Sequence, residues 1–185
     1  MRFPREFTLE TSRCRLRHVS EADMPHIFSA TRVAGFNDGM RWDPPQDESE
    51  LLTPYRQALQ SWAEDRAYGF TIEEKSTGRF IGRLSIRREA ELDVWNIGFW
   101  THPREQSHGY MSEAAQRIVD FGFKELGAVR IEARHAVWNR PSERVLRKLG
   151  MTLLENLPHG FQKRGRWVEE NRLGITRSEW KSQQR

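Results

Sequence analysis

The residues between a predicted strand and a predicted helix near the middle of the chain could bind an anion. Residues 99–113 are Phe-Trp-Thr-His-Pro-Arg-Glu-Gln-Ser-His-Gly-Tyr-Met-Ser-Glu, so an apolar strand end leads through a polar loop into an amphipathic segment. A loop that turns into a helix N-terminus directs several backbone N–H groups at one point, which favours phosphate. Gly109 allows close backbone approach at that turn. An ordinary turn with a glycine is the alternative interpretation.

A second polar group follows the next predicted strand. Asn139 and Ser142 come directly after the strand predicted at residues 129–137. Adjacent parallel strands joined by a helix place their C-terminal ends together, where open sheets bind ligands. An anion site at one strand end and an Asn/Ser pair at the other together predict a long phosphorylated ligand.

Hydrophobic periodicity predicts the elements that position these two groups. Alternating apolar residues and turn residues predict strands at residues 15–19, 68–74, 80–86, 93–101, 129–137, 151–155 and 167–176. Helices are predicted to begin at Ser20, at Asp47, after Pro103 and near Asn139. The third helix has an apolar stripe of Met111, Ala114, Ala115, Ile118, Val119, Gly122 and Leu126. This order predicts an α/β (α+β) fold in a single domain, residues 1–185.

Bulk composition narrows the class of protein. A chain of 185 residues with 37% hydrophobic and 30% charged residues is typical of one soluble globular domain. No apolar run approaches the roughly 20 residues that span a bilayer, and the first residues do not resemble a signal peptide, so we expect a cytoplasmic protein. Cys14 is the only cysteine, which excludes an internal disulfide and a cluster of several thiolates. No metal site is predicted.

The net charge of +4 and the pI near 9.6 are compatible with a nucleic acid, an acidic protein or an anionic cofactor as partner. The Lys and Arg residues are scattered along the chain, which argues against a nucleic-acid-binding arm. An anionic ligand would be enough to use part of this positive charge.

The chain resembles the GNAT superfamily of N-acetyltransferases, and within it the RimJ/RimL branch that acetylates ribosomal proteins. The acetyl-CoA signature of the superfamily, Gln/Arg-x-x-Gly-x-Gly/Ala, is matched by residues 106–111, with Met111 in the last place. Further similar segments are residues 41–45, 109–114, 130–134, 139–142, 146–151 and 179–180. The resemblance implies the GNAT fold, a mixed and mostly antiparallel central sheet of about seven strands with helices on both faces.

The resemblance also implies acetyl-CoA as co-substrate and a set of residues that bind it. The pyrophosphate would be held by the loop amides of Gln106, Ser107, His108, Gly109, Tyr110 and Met111. The pantetheine arm would pair with the strand end formed by Phe99, Trp100 and Thr101, as an added strand does. Asn139 would bind the pantetheine or the acceptor, and Arg147 is the candidate for the 3′-phosphate.

Direct attack of a neutral amine on the thioester, in a ternary complex, is the expected mechanism. A backbone N–H near Trp100 would stabilise the oxyanion, and losing one such donor costs roughly 3–4 kcal/mol. Ser142 is the candidate to donate a hydrogen bond to the sulfur, unless it is only a first-turn helix residue. Asn96 stands where many relatives have a glutamate base, so the candidate bases are Glu132, His135 and Asp93.

The missing carboxylate at Asn96 bears on the acceptor. An α-amine with a pKa of about 7.8 is already about one-tenth neutral at pH 7, whereas a lysine near 10.4 needs about 4.6 kcal/mol for neutralisation. A weak or water-relayed base therefore favours a protein N-terminal α-amine, and the basic surface favours an acidic protein over a polycation. Trp42, Asn96 and Trp138 are the candidate acceptor-binding residues.

Three other functions stay open at this stage. The first is acetylation of a small molecule, such as an antibiotic or an amino-acid conjugate. The second is a coenzyme A-binding module without catalysis, which the missing carboxylate at Asn96 would explain. The third is nucleic-acid binding by stacking on Trp95, Phe99 and Trp100, although Trp95 and Phe99 share one strand face, as core residues do. A homodimer is common in the resembling branch.

Overall fold

The computed structural model describes residues 2–184, which form eight strands and five α-helices. The strands are β1 (Thr8–Glu10), β2 (Cys14–His18), β3 (Ala67–Glu74), β4 (Phe80–Arg88), β5 (Val94–Thr101), β6 (Arg130–Ala136), β7 (Thr152–Lys163) and β8 (Arg166–Thr176). The helices are α1 (Met24–Thr31), α2 (Leu52–Ala63), α3 (Tyr110–Lys124), α4 (Arg140–Lys148) and α5 (Arg177–Gln183). Short 3₁₀ turns cover Glu21–Asp23, Glu48–Leu51 and Pro103–Glu105.

All eight strands form one sheet in the order β1-β2-β3-β4-β5-β6-β8-β7. Every neighbouring pair is antiparallel except β5 and β6, which are parallel. This confirms the mixed, mostly antiparallel sheet. The predicted number of seven strands was one too low, because β1 has only three residues and shows no usable alternation.

The predicted end of β7 and the absence of a last helix were also wrong. β7 continues to Lys163 through Pro158. A proline fits there because β7 is the edge strand, and the pairing with β8 shifts register between Leu157 and Phe161. Helix α5 then packs the Trp180 ring against Phe123, with ring centroids 5.1 Å apart.

Helix α3 buries its predicted stripe against one face of the sheet. Ala114, Ala115, Ile118 and Val119 have no exposed surface, and full burial of a side chain as large as isoleucine contributes about 1.5–3 kcal/mol. A Cβ built on Gly122 would lie 2.6 Å from Ile131 Cδ1. The glycine therefore lets α3 approach β6 closely.

Helix α1 covers the other face. Phe99 packs on the core that contains α3, whereas its neighbour Trp100 packs on the cluster that contains Met24 and Ile27 of α1. Successive strand residues point to opposite faces, so the two helices lie on opposite sides of β5, and helices on both faces are confirmed. No helix among residues 2–184 is long and apolar enough to span a membrane.

Candidate active site

Strands β5 and β6 separate where the candidate site begins. Ile97 opposite Ala133 is the last pair in their parallel register. Beyond it, β5 continues to Thr101 against β4, and β6 continues to Ala136 against β8. The two neighbouring strands therefore diverge and leave an opening at the edge of the sheet where the sequence predicted a ligand.

The backbone N–H groups of Phe99 and Thr101 face this opening. The His102 N–H donates to the Ile81 carbonyl over 2.8 Å, so it points towards β4. Because N–H groups alternate in direction along a strand, those of Phe99 and Thr101 point the other way. Neither residue has a partner in the register with β6. Two hydrogen-bond donors, about 6.6 Å apart along the strand, are thus available to two different ligand atoms.

The turn before α3 contains two residues in the left-handed region. Gly109 has a φ of +82° and Ser107 a φ of +66°, a conformation that only glycine adopts without strain. Gly109 is the N-cap of α3, and no side chain caps the helix start. The first N–H groups of an α-helix have no partner within the helix. Those of Tyr110, Met111 and Ser112 are therefore available to an anion.

Arg13 fixes this turn from the other end of the chain. Its backbone N–H and its Nε each donate to the Glu113 carboxylate over 2.8 Å, and its Nη1 donates to the His108 carbonyl over 3.1 Å. Burial would raise the pKa of Glu113, but hydrogen bonds from residues 11–13 outweigh it and lower that pKa to about 2. Sequence reasoning missed Arg13, since it lies about 100 residues from its partner.

The start of α4 forms the second side of the site. The Asn139 side chain is the N-cap, and its Oδ1 accepts a hydrogen bond from the Ser142 N–H over 3.2 Å. Pro141 occupies the first turn, where its missing N–H costs nothing. The Ser142 hydroxyl has no hydrogen-bond partner within residues 2–184, so it is free to donate to a ligand.

A cavity of about 630 Å³ lies between the end of β5, the turn before α3 and the start of α4. Most of the residues predicted from the sequence line it. They are Phe99, Trp100, Thr101, Gln106, Ser107, Gly109, Tyr110, Met111, Trp138, Asn139 and Ser142. The two polar groups that the sequence predicted at adjacent strand ends therefore share one cavity.

Arg147 does not line this cavity, and its contact with the 3′-phosphate stays a prediction. Its Nε donates to Glu143 one turn earlier over 3.0 Å, so its side chain is engaged along the helix surface. Arg144 and Lys148 line the cavity instead. They are separated by four residues and lie on one face of α4. The spacing of four positions between Glu143 and Arg147 is the sequence signal for this ion pair on the helix surface.

Two more predicted side chains, those of His108 and Trp42, do not line this cavity. His108 contributes its carbonyl to Arg13, and its ring lies outside the lining. The Trp42 ring also lies outside the lining, but it packs edge-on against Phe36, which does line the large cavity. The Trp42 carbonyl accepts a hydrogen bond from Lys163 over 2.7 Å. Trp42 therefore packs against a residue of the cavity lining without lining the cavity itself.

A second cavity of about 340 Å³ lies on the α1 face of the sheet, beside the same opening. Asn96 lines it, and its Oδ1 accepts a hydrogen bond from Arg87 over 3.2 Å. Gly39 and Arg134 line both cavities. The two cavities thus meet at the separated strand ends, and Asn96 lies on the side opposite α3.

Glu132, a predicted candidate for the base, is engaged by two arginines in this fold, and its role stays a prediction. Its side chain is buried and accepts hydrogen bonds from Arg130 over 2.7 Å and from Arg172 over 3.4 Å. It lines neither cavity. His135 does line the large cavity, and its Nδ1 bonds to the Ala136 carbonyl over 2.8 Å. Its Nε2 is buried without a partner in the described part of the chain.

Every carboxylate that lines either cavity, within residues 2–184, is paired with an arginine. Glu105 lies 3.5 Å from Arg79, and Glu89 lies 4.0 Å from Arg87. Glu170 is buried and forms an ion pair with Arg41, which reaches it from the irregular segment before α2. The described site therefore holds no free carboxylate that could accept a proton readily.

Comparison with known proteins identifies the family. A family model described as an acetyltransferase (GNAT) domain matches residues 13–152. The chain therefore belongs to the GNAT acetyltransferase family. The uncharacterized N-acetyltransferase YnaD of Bacillus subtilis is 33% identical over 116 residues, which cover 63% of this chain and 68% of YnaD. The uncharacterized protein YkkB of Bacillus subtilis is 28% identical over 158 residues, which cover 77% of this chain and 84% of YkkB.

Solved structures with the same fold include enzymes with different acceptors. RimL, the ribosomal L7/L12 α-N-protein acetyltransferase, in complex with coenzyme A has a TM-score of 0.83 at 18% identity and covers 92% of this chain and 98% of its own. RimJ of Mycobacterium smegmatis has a TM-score of 0.81 at 22% identity, covering 94% and 89%. Spermidine N-acetyltransferase of Vibrio cholerae has a TM-score of 0.79 at 19% identity, covering 91% and 98%. These likenesses show the fold and leave the acceptor open.

The site and the family together define the reaction class. The protein is an acetyl-CoA-dependent N-acetyltransferase of the GNAT family, as the resemblance implied. The cavity fits such a co-substrate because it combines an uncapped helix start, free strand donors and two cationic side chains.

Proposed function

We propose that this enzyme acetylates the N-terminal α-amine of a protein, as the ribosomal-protein acetyltransferases do, by direct attack within a ternary complex. The observation that carries this proposal is the pairing of every cavity-lining carboxylate with an arginine, together with Asn96 at the predicted base position. Such a site offers no free carboxylate to deprotonate lysine, and the unpartnered Nε2 of His135 is buried away from solvent. An α-amine, with a pKa of about 7.8, supplies its own neutral fraction.

Three parts of the large cavity, the turn before α3, the end of β5 and the start of α4, would bind the co-substrate along its length. The free N–H groups of Tyr110, Met111 and Ser112 fit a pyrophosphate, and the strand end of β5 fits the pantetheine arm. Arg144 and Lys148 fit the 3′-phosphate, because both line the cavity and carry positive charge.

The opening between β5 and β6 would hold the reacting thioester. One of the two free N–H groups, that of Phe99 or that of Thr101, would then stabilise the oxyanion that forms when the amine attacks, and such a donor contributes roughly 3–4 kcal/mol. The Ser142 hydroxyl would donate a hydrogen bond to the leaving sulfur. That assistance need only be modest, since a thiol has a reference pKa of about 8.5.

A thiol-release assay with matched acceptors tests the proposal. One peptide has a free N-terminus and an acetylated lysine, and its partner has an acetylated N-terminus and a free lysine. Spermidine and small-molecule amines complete the panel. We expect the free N-terminus to have a kcat/KM at least tenfold above every other acceptor.

A comparable kcat/KM on lysine or spermidine would refute the α-amine preference. Selective turnover of a small-molecule amine would replace it with the small-molecule function. No thiol release with any amine would instead favour a coenzyme A-binding module. The cytoplasmic location and the homodimer stay predictions.

A further inference from the structure

Arg134 occupies the junction between the co-substrate cavity and the cavity on the α1 face. Asn96 pairs with Glu132 in the parallel register, so those two side chains share a face. Two residues further along each strand, Gly98 and Arg134 lie on that same face, at the level where the strands have begun to diverge. Arg134 lines both cavities. Its side chain therefore lies beside the place that a reacting amine must reach.

Arg134 differs from the other arginines of the smaller cavity in having no partner. Arg41 forms an ion pair with Glu170, and Arg87 donates to the Asn96 side chain. The Arg134 guanidinium makes no hydrogen bond or ion pair with any described residue, and its side chain is exposed. A guanidinium carries five N–H donors in a planar fork that matches a carboxylate.

The net charge of the smaller cavity also favours a negatively charged acceptor. Three arginines (Arg41, Arg87 and Arg134) and two glutamates (Glu89 and Glu170) line it, so the cavity has an excess of one positive charge. The glutamates are already engaged by Arg41 and Arg87. A polyamine would be repelled by this net positive charge. An acceptor with a negative charge close to its amine could instead form an ion pair with the Arg134 guanidinium.

We infer that the acceptor carries a carboxylate close in space to its reactive amine and that Arg134 binds this carboxylate. The inference rests on the proposed α-amine function and specifies its substrate class. Two sources supply this chemistry. One is an acidic side chain in the second or third residue of a peptide, and the other is the α-carboxylate of a free amino acid.

The test measures kcat/KM on matched acceptors. The peptides Ser-Glu-Glu and Ser-Gln-Gln, each extended by the same neutral tail, differ only in the carboxylates, and free serine is compared with serinamide. The enzymes are wild type, Arg134→Gln, Arg134→Lys and the control Arg56→Gln, which changes an exposed arginine on α2 without a side-chain partner among residues 2–184.

Wild type should prefer the acidic peptide, or free serine, by at least tenfold over its neutral counterpart when kcat/KM is expressed per neutral amine. Arg134→Gln should bring that ratio close to one, Arg134→Lys should leave an intermediate ratio, and Arg56→Gln should keep the wild-type ratio. The KM for acetyl-CoA should be the same in all four. Whichever pair shows the preference identifies the source of the carboxylate.

A wild-type ratio near one for both pairs would overturn the inference. So would a raised KM for acetyl-CoA in Arg134→Gln with an unchanged acceptor ratio, because the arginine would then bind the co-substrate. Failure of the α-amine function has a different signature. It appears as preferred lysine acetylation in the peptide panel, whatever the ratio between acidic and neutral acceptors.

Discussion

Glu113 accepts hydrogen bonds from both the backbone N–H and the Nε of Arg13, each over 2.8 Å. This relationship attaches the first turn of α3 to the segment just before β2. The same guanidinium donates to the His108 carbonyl and lies 4.7 Å from the centroid of the Tyr110 ring. The turn that presents N–H groups to the co-substrate is therefore held in place before any ligand binds.

Removing the Glu113 charge should destabilise the protein at neutral pH. Because hydrogen bonds lower the folded-state pKa of Glu113 to about 2 from its ordinary value of 4.5, its contribution is fully present above about pH 4.5. It is lost as the pH falls towards 2. We expect Glu113→Gln to lose about 1–2 kcal/mol at pH 7, a figure reduced for the half-exposed Arg13 partner.

Urea denaturation at pH 7 and at a series of lower pH values checks this prediction. The difference between wild type and Glu113→Gln should shrink as the pH falls below about 4.5. Glu125→Gln, an exposed change near the end of α3, is the matched control and should match wild type throughout. A Glu113→Gln deficit that stays constant down to the lowest pH would contradict the role of the ionised carboxylate.

Ser142→Ala should lower kcat and leave the KM for acetyl-CoA nearly unchanged. The hydroxyl has no partner in the described chain, and its loss removes a hydrogen bond that forms only as the sulfur leaves. We expect a fall of about tenfold or more. Ser182→Ala on α5, which loses a surface hydrogen bond to Ser178, is the control. A kcat equal to that of wild type would show that Ser142 is only a first-turn helix residue and does not assist the leaving sulfur.

Arg144→Gln and Lys148→Gln should each raise the KM for acetyl-CoA by about tenfold, because a charge-assisted hydrogen bond contributes about 1.5–3 kcal/mol. Both side chains line the large cavity, whereas Arg147 pairs with Glu143. Arg147→Gln on the same helix is therefore the matched control. The measurement is KM with acetyl-CoA and with its 3′-dephospho analogue, for which the variants should match wild type. An equal effect of Arg147→Gln would argue against this assignment.

Gly109→Ala should raise the KM for acetyl-CoA and also reduce stability. A φ of +82° is unfavourable for alanine by roughly 1–2 kcal/mol, and relaxation of that strain would redirect the N–H groups that follow. Gly78→Ala is the control, because Gly78 also has a positive φ, of +72°, but lies in open space in the β3–β4 turn. Both variants should lose similar stability, and only Gly109→Ala should bind acetyl-CoA weakly. Equal KM values would show that the turn does not bind the ligand.

The elements with strong local signals could be predicted from the sequence. The stripe of α3 and the cap of α4 follow from 3.6-residue periodicity and from Asn139 before Pro141. Thr176 and Glu179 form a capping box at the start of α5. This Thr-x-x-Glu pattern is a sequence signal for a helix start, and it could have predicted α5. The extension of β7 could not be read, since Pro158 is tolerated only because tertiary pairing makes β7 an edge strand.

Local sequence patterns could predict the site residues at the ends of consecutive strands. They could not predict contacts that depend on which strands pair in the sheet. The turn at Gly109 and the pair Asn139 and Ser142 lie at strand ends, so topology alone brings them together. The engagement of Glu132 by Arg172 depends on the pairing of β6 with β8, which local patterns do not specify. The position of Arg134 between two cavities likewise depends on where β5 and β6 cease to pair.

Titration of the ¹⁵N-labelled protein with acetyl-CoA, followed by backbone amide NMR shifts, tests whether the turn before α3 binds the diphosphate. We expect the largest shifts at residues 106–112, with further shifts at Phe99, Thr101 and Ser142 on the two sides of the opening. Saturable shifts that leave the turn before α3 unchanged would contradict this assignment, because the diphosphate would then bind elsewhere.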